Sequence, residues 1–147
     1  MMFQLFLGSA LIITTIIVSV VLIGVAIELL TWFASKLSRG SHTTESFLAL
    51  GATTTWFVFV VTVNVWLWAF AYLWLGVFES LEEALYFSLV CFTTLGFGDI
   101  VLSEDWRLLS GFTATAGFIL FGLGTAFLFE IMSRYFREGQ ARRKHRK

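Results

Sequence analysis

Thr93-Thr94-Leu95-Gly96-Phe97-Gly98-Asp99 is a polar, glycine-punctuated run inside a strongly apolar chain. A short helical pattern, 80–92, precedes it, and a long apolar helical pattern, 104–137, follows. Irregular backbone at membrane depth is tolerated only where it is buried in protein or lines a watery passage. The composition makes membrane depth the relevant setting. Of 147 residues, 58% are hydrophobic and only 14% charged, proline is absent, and mean hydropathy is +0.84. That combination is a membrane protein, with no room for a separate soluble domain.

Within the run, Thr94, Gly96 and Gly98 alternate with the bulky Leu95 and Phe97. Glycine takes positive φ without steric cost, so alternating hands along the chain turn successive carbonyls toward one side. The large side chains then wedge the segment from behind. A row of carbonyl oxygens ending in a threonine hydroxyl replaces the hydration shell of a small monovalent cation.

Thr94-Leu95-Gly96-Phe97-Gly98-Asp99 resembles the selectivity-filter signature of the potassium-channel superfamily, Thr-Val-Gly-Tyr-Gly-Asp. Leu95 stands for the usual Val and Phe97 for the usual Tyr, which removes a bracing hydroxyl. Both variants resemble those in the second pore loops of two-pore-domain channels. The resemblance covers about residues 47–137 and implies an outer helix (47–78), a re-entrant pore helix (80–92), a filter (93–99) and an inner helix (104–137). It implies a potassium ion held by the carbonyls of Thr94, Leu95, Gly96 and Phe97 together with the Thr94 hydroxyl. Thr93, Gly98 and Asp99 support the filter, and Tyr86 is the pore-helix side chain that would tie Asp99. Some relatives carry a pore-helix glutamate where this chain has Val90. One chain supplies one loop, so enclosing an ion requires a homotetramer with cyclic symmetry. The compactness of the chain points to a prokaryotic member.

Working outward, Ser80 with Glu83 three residues on is a capping-box pattern, and Glu82 adds charge to the first turn. Twelve helical residues make about 18 Å, too short to span, so the helix is read as re-entrant. Its C-terminal dipole end would then favour a cation near the membrane centre. Ser103-Glu104-Asp105 reads as the next helix start. The acids Glu79, Glu82, Glu83, Glu104 and Asp105 cap helices first and raise local cation concentration second. On the inner helix, Phe121, Thr125 and Phe129 share a face with Ser133 and are candidate cavity or gate residues. Gly117, Gly122 and Gly124 are candidate hinge positions, with close packing the equal alternative. Cys91 is read as a small packing residue.

Upstream, 1–33 holds an additional membrane-spanning helix, too long and with the wrong flanks for a signal peptide. Its role is unassigned. Residues 34–46 form a polar linker with Lys36, Arg39 and His42; Glu28, which closes the span before it, is expected to be partly neutralised by Lys36 or Arg39. In the second span, Asn64 is read as an interhelical bond rather than a pore-lining group. The final fourteen residues hold seven of the ten Lys and Arg, and 138–147 is a basic tail. With the basic linker, it places the C-terminus in the cytoplasm and the N-terminus outside. The tail is read first as a topology signal and second as a contact for anionic lipid.

The fold expected is therefore an all-α membrane protein with three spanning helices, a pore helix and an extended filter. The function expected is passive potassium conduction across a cell membrane. The alternatives are a weakly selective monovalent cation channel and a non-conducting subunit of a transport system. No nucleophile–base pair or metal-ligand set argues for an enzyme. No cofactor is implied beyond the permeating potassium, nor is a nucleic-acid partner. No segment carries arginine at every third position, so voltage sensing of the usual kind is not expected.

Overall fold

A computed structural model describes residues 2–37 and 42–144. They form four helices: α1 Met2–Leu37, α2 His42–Trp74, α3 Leu81–Phe92 and α4 Arg107–Lys144. Three stretches are long and apolar enough to cross a membrane: Met2–Leu29, Phe47–Trp74 and Arg107–Ser133. The shortest of them, 27 residues, reaches about 40 Å at 1.5 Å per residue, against a hydrocarbon core of about 30 Å. The chain is a multi-pass, all-helical membrane protein.

Lipid is as apolar as leucine, so the helices associate through close packing and polar bonds rather than through expulsion of water. Both devices are visible. Along the α1–α2 interface, Trp56 Nε1 donates to the Leu22 carbonyl, Asn64 Nδ2 to Ser19 Oγ and Trp68 Nε1 to Thr15 Oγ1, each at 3.0 Å. One set of numbers rises as the other falls, so the two helices are antiparallel. Such bonds contribute on average about 0.6 kcal/mol each, so the ladder sets register more than it supplies stability. Asn64 thus makes the interhelical bond, and its partner is the additional first helix.

Helix α1 runs parallel to α4. Near their N-termini the Gln4 side-chain amide donates to the Asp105 carbonyl, and the Phe3 ring meets Trp106 edge-on with centroids 6.4 Å apart. Gly8 lies beneath Phe112 so closely that a Cβ there would fall 2.4 Å from the ring. Farther along, Ala26 packs with Phe127 and Ile131. Between α2 and α4, Tyr72 Oη and Thr113 Oγ1 are 2.7 Å apart. Thr113 already donates to the Leu109 carbonyl, so the tyrosine is the donor. The main core gathers Trp68, Tyr72, Phe87, Phe92, Leu109 and Leu120.

Several boundaries differ from the sequence expectation. The outer helix ends at Trp74 rather than Phe78. Gly76 adopts φ 68, the Gly76 N–H bonds the Leu73 carbonyl, and the Val77 N–H bonds the Tyr72 carbonyl. This left-handed cap terminates the helix. Phe78 then folds back against Tyr72 and Phe87, at 5.8 and 5.2 Å between centroids. The inner helix begins at Arg107 rather than 104, because the Ser103 carbonyl takes up both the Trp106 and Arg107 N–H groups in a preceding turn. It continues to Lys144, through most of what reads as a separate tail. The 34–46 linker is shorter than expected, since α1 reaches Leu37 and His42 already starts α2. Arg39, with the rest of 38–41, and the terminal 145–147 lie outside the described residues, as do the side chains of Lys36 and of the tail's arginines from Arg142 on.

Candidate functional site

Helix α3 is built from its cap upward. Ser80 sits at φ −112, ψ 142, and its Oγ accepts the Glu83 N–H at 3.1 Å, with Glu82 and Glu83 in the first turn. Ala84, Phe87, Ser88, Val90 and Phe92 are buried against α2 and α4. The far end does not simply stop. Thr93 Oγ1 donates to the Leu89 carbonyl at 2.7 Å, and the Thr94 N–H bonds the Cys91 carbonyl at 2.9 Å. The Leu95 and Gly96 N–H groups then both reach the Val90 carbonyl, at 3.0 and 3.2 Å. The start of the loop is therefore held by the last turn of α3.

Along the loop, φ is positive at Thr94 (60), Gly96 (56) and Gly98 (76), and at neither of the intervening residues Leu95 and Phe97. The backbone alternates hand residue by residue. Glycine accepts this freely, whereas a β-branched residue with positive φ is a true outlier. Thr94 thus carries backbone strain of about 1–3 kcal/mol, which the surrounding bonds to α3 maintain. The positive-φ positions are the three expected to alternate with Leu95 and Phe97; what sequence reasoning explained only for the glycines is how Thr94 takes that conformation. Leu95 and Phe97 are 60% and 66% exposed in the single chain.

The structure brings Tyr86 and Asp99 together: the phenol donates to Asp99 Oδ2 at 2.5 Å. That bond holds the Asp99 carboxyl below the usual carboxylate range, with the N–H groups of Asp99 and Ile100 assisting, and holds the Tyr86 phenol above its usual value. Behind the loop lies a cavity of about 190 Å³ whose lining includes Tyr86, Cys91, Gly96, Asp99, Ile100 and Arg107. Arg107 pairs with Glu104 at 3.5 Å, both widely exposed, a pair that contributes little. Cys91 is half-buried on the side of α3 facing this cavity.

On α4 the expected face is partly redrawn. Thr125 and Phe129 are exposed, and Thr125 Oγ1 donates to the Phe121 carbonyl at 2.9 Å. Phe121 is also exposed, at 36%, with its ring turned edge-on to Phe57 of α2 at 6.1 Å. An exposed row runs through Gly111, Thr115, Phe118, Gly122, Thr125 and Phe129 in alternating three- and four-residue steps, with Phe121 at its edge. Phe118, 74% exposed, was overlooked; stepping four residues at a time from Phe121 drifts around the helix, whereas alternating steps find it. The three candidate hinge glycines separate. A Cβ on Gly117 would fall 1.7 Å from the Phe92 carbonyl oxygen, and one on Gly124 2.1 Å from the Phe57 ring. One on Gly122 would meet nothing within 4 Å. Gly117 and Gly124 are close-packing positions, and only Gly122 is sterically unengaged.

No curated protein and no solved structure matches the sequence. Residues 58–134, from within α2 through α3 and the loop to the lower part of α4, match the ion channel family. The match spans more than half of the chain, takes in the capped short helix and the hand-alternating loop, and begins after α1. The chain belongs to the ion channel family.

Proposed function

We propose that the protein is a homotetrameric, potassium-selective channel whose pathway is lined by the carbonyls of Thr94, Leu95, Gly96 and Phe97 and by the Thr94 hydroxyl. The observation that carries this reading is the alternation of hand across Thr94–Gly98, supported from the end of α3. Such backbone aligns dipoles on one side, as replacing the hydration of a dehydrated cation requires. α3 is re-entrant, and its C-terminal end adds the negative pole of its dipole where the ion loses water.

Oligomerisation follows from the same loop. Its backbone leaves helical geometry at Thr94, and lipid cannot satisfy such groups. Copies arranged about a cyclic axis cover Leu95 and Phe97 and close the ring. The stripe through Phe118, Gly122, Thr125 and Phe129 then faces the axis, with Phe129 at its cytoplasmic end. Exposed Glu79, Glu82, Glu83, Glu104 and Asp105 surround the outer mouth and concentrate cations there. The N-terminus lies outside and the basic C-terminus in the cytoplasm, where it meets the lipid surface.

Protein reconstituted into liposomes with a potassium gradient should carry a barium-sensitive flux, and a sodium gradient should drive far less. Equal fluxes would favour weakly selective conduction, for which the missing hydroxyl at Phe97 is the specific argument. No flux with either ion would refute a self-sufficient channel.

A further inference from the structure

The helix outside the family match has a place that suggests its work. α1 does not merely lie at the periphery. It is fixed to α2 by the three bonds from Trp56, Asn64 and Trp68, and it meets α4 and the turn before it near their N-termini and again farther along. The upper level comprises Gln4 with the Asp105 carbonyl, Phe3 with Trp106 and Gly8 with Phe112. The lower level is the cluster of Ala26, Phe127 and Ile131, with Ile23 and Trp56 packed against it. Gly122, the one candidate hinge glycine with no neighbour within 4 Å, falls between them.

The lower contact covers the back of α4. At about 100° per residue, Phe127 stands about 160° around the helix from both Thr125 and Phe129, and Ile131 about 180° from Gly122. Burial agrees: Phe127 and Ile131 are 8% and 7% exposed, against 64% for Phe129. If the stripe with Phe129 faces the axis, the segment below Gly122 widens the pathway by moving toward its back, where α1 lies at Phe127 and Ile131 and Phe57 of α2 lies at Gly124. Above Gly122 such movement is already blocked by Gly117 against the Phe92 carbonyl.

We infer that α1 is a brace on the inner helix: tied to α2, it backs the α4 segment below Gly122 through Ala26, Phe127 and Ile131 and holds that segment in its closed position. The inference rests on the channel reading above and adds to it the element that restrains the gate. Close-packed interfaces of this kind switch between discrete arrangements rather than deforming smoothly. Anything that shifts α1, from bilayer thickness to a ligand at its lower end, therefore acts on the gate.

The test uses the full chain in liposomes and two cysteine pairs, with Cys91 present in all samples. The pair Ala26→Cys with Ile131→Cys bridges the lower level, and Gly8→Cys with Phe112→Cys, whose backbones approach closely, bridges the upper. Bridge formation is read by mass, and potassium flux is read before and after reductant. The lower bridge should abolish flux reversibly, while the upper bridge leaves it close to wild type. Ile131→Ala, which thins the contact without any bridge, should raise resting flux, and this variant decides the matter should the paired cysteines fail to fold or to link. A lower bridge formed with flux unchanged, equal loss from both bridges, or unaltered resting flux in Ile131→Ala would each overturn the brace. Wild-type protein that carries no potassium at all would instead overturn the channel reading, and the brace with it.

Discussion

Gly117→Ala is the substitution for which the structure gives the sharpest expectation. The added Cβ would lie 1.7 Å from the Phe92 carbonyl oxygen, 2.7 Å from its carbonyl carbon and 3.2 Å from its Cα. Ordinary contact needs roughly 3.5 Å, so α4 and the end of α3 must separate by more than 1 Å or so. The obstructing atoms are backbone, and no rotamer change relieves them. Overpacking of this kind destabilises by about 1–3 kcal/mol, and the backbone clash places this site at the upper end. The displacement also propagates. Phe92 is bonded to Thr93, whose hydroxyl and N–H hold the loop to Leu89, so the Thr94 carbonyl shifts with it. Thermal unfolding of the purified protein should therefore show a clear loss of stability, and surviving channels should discriminate less well between potassium and sodium. Gly122→Ala is the matched control for stability alone: nothing lies within 4 Å of the added Cβ, so the change there is the helix-propensity gain of up to about 1 kcal/mol. Gly117→Ala with wild-type stability and wild-type selectivity would refute the close approach of α4 to the root of the loop.

The remaining predictions concern single contacts. The bond between Tyr86 and Asp99 requires the carboxylate ionised and the phenol protonated. Its contribution is complete above the ordinary aspartate value of about 3.9 and fades only as pH falls through the lowered Asp99 value. At the other end it is complete below about 10 and fades as pH rises through the raised Tyr86 value. Tyr86→Phe should move the acid limb of filter stability toward the ordinary carboxylate, read from current decay against external pH; an unmoved limb would dissociate the bond from the filter. Asn64→Ala removes the α2 half of a buried bond and should destabilise by about 0.6–1.7 kcal/mol. A double-mutant cycle with Ser19→Ala should recover a coupling of that size, and purely additive effects would contradict the ladder. Phe129→Ala should raise open probability or conductance, and unchanged single-channel records would remove it from the gate.

What was legible beforehand divides along physical lines. Local rules served well where one residue type answers one backbone need. Ser80 capping α3, and a buried asparagine seeking a partner on another helix, follow from hydrogen-bond requirements that hold in any packing. The end of α2 was missed although its signal was present. Gly76 follows the last helical turn as a left-handed cap does, but the apolar residues on either side of it masked the stop. Which glycine packs and which stays unengaged was not readable, because Gly117, Gly122 and Gly124 have the same local signature and differ only in what lies opposite. The same holds for Phe121, which is exposed as its spacing suggests and whose edge-on contact with Phe57 only the tertiary arrangement shows. The place of α1 on the back of α4 required the tertiary arrangement, since its sequence reports length and apolarity but not a neighbour. Thr94 shows the limit of propensity: nothing local places a β-branched residue at positive φ, and only the loop bonds to Val90 and Cys91 hold it there.

The most direct measurement is a density map of the assembled protein in lipid, recorded with potassium and then with a heavier monovalent ion in its place. The account predicts related copies about a single rotation axis, with ion density on that axis level with the carbonyls of Thr94 to Phe97 and strengthened by the substitution. Copies that share no central axis, or a 94–98 segment directed away from it with no ion between the chains, would contradict it.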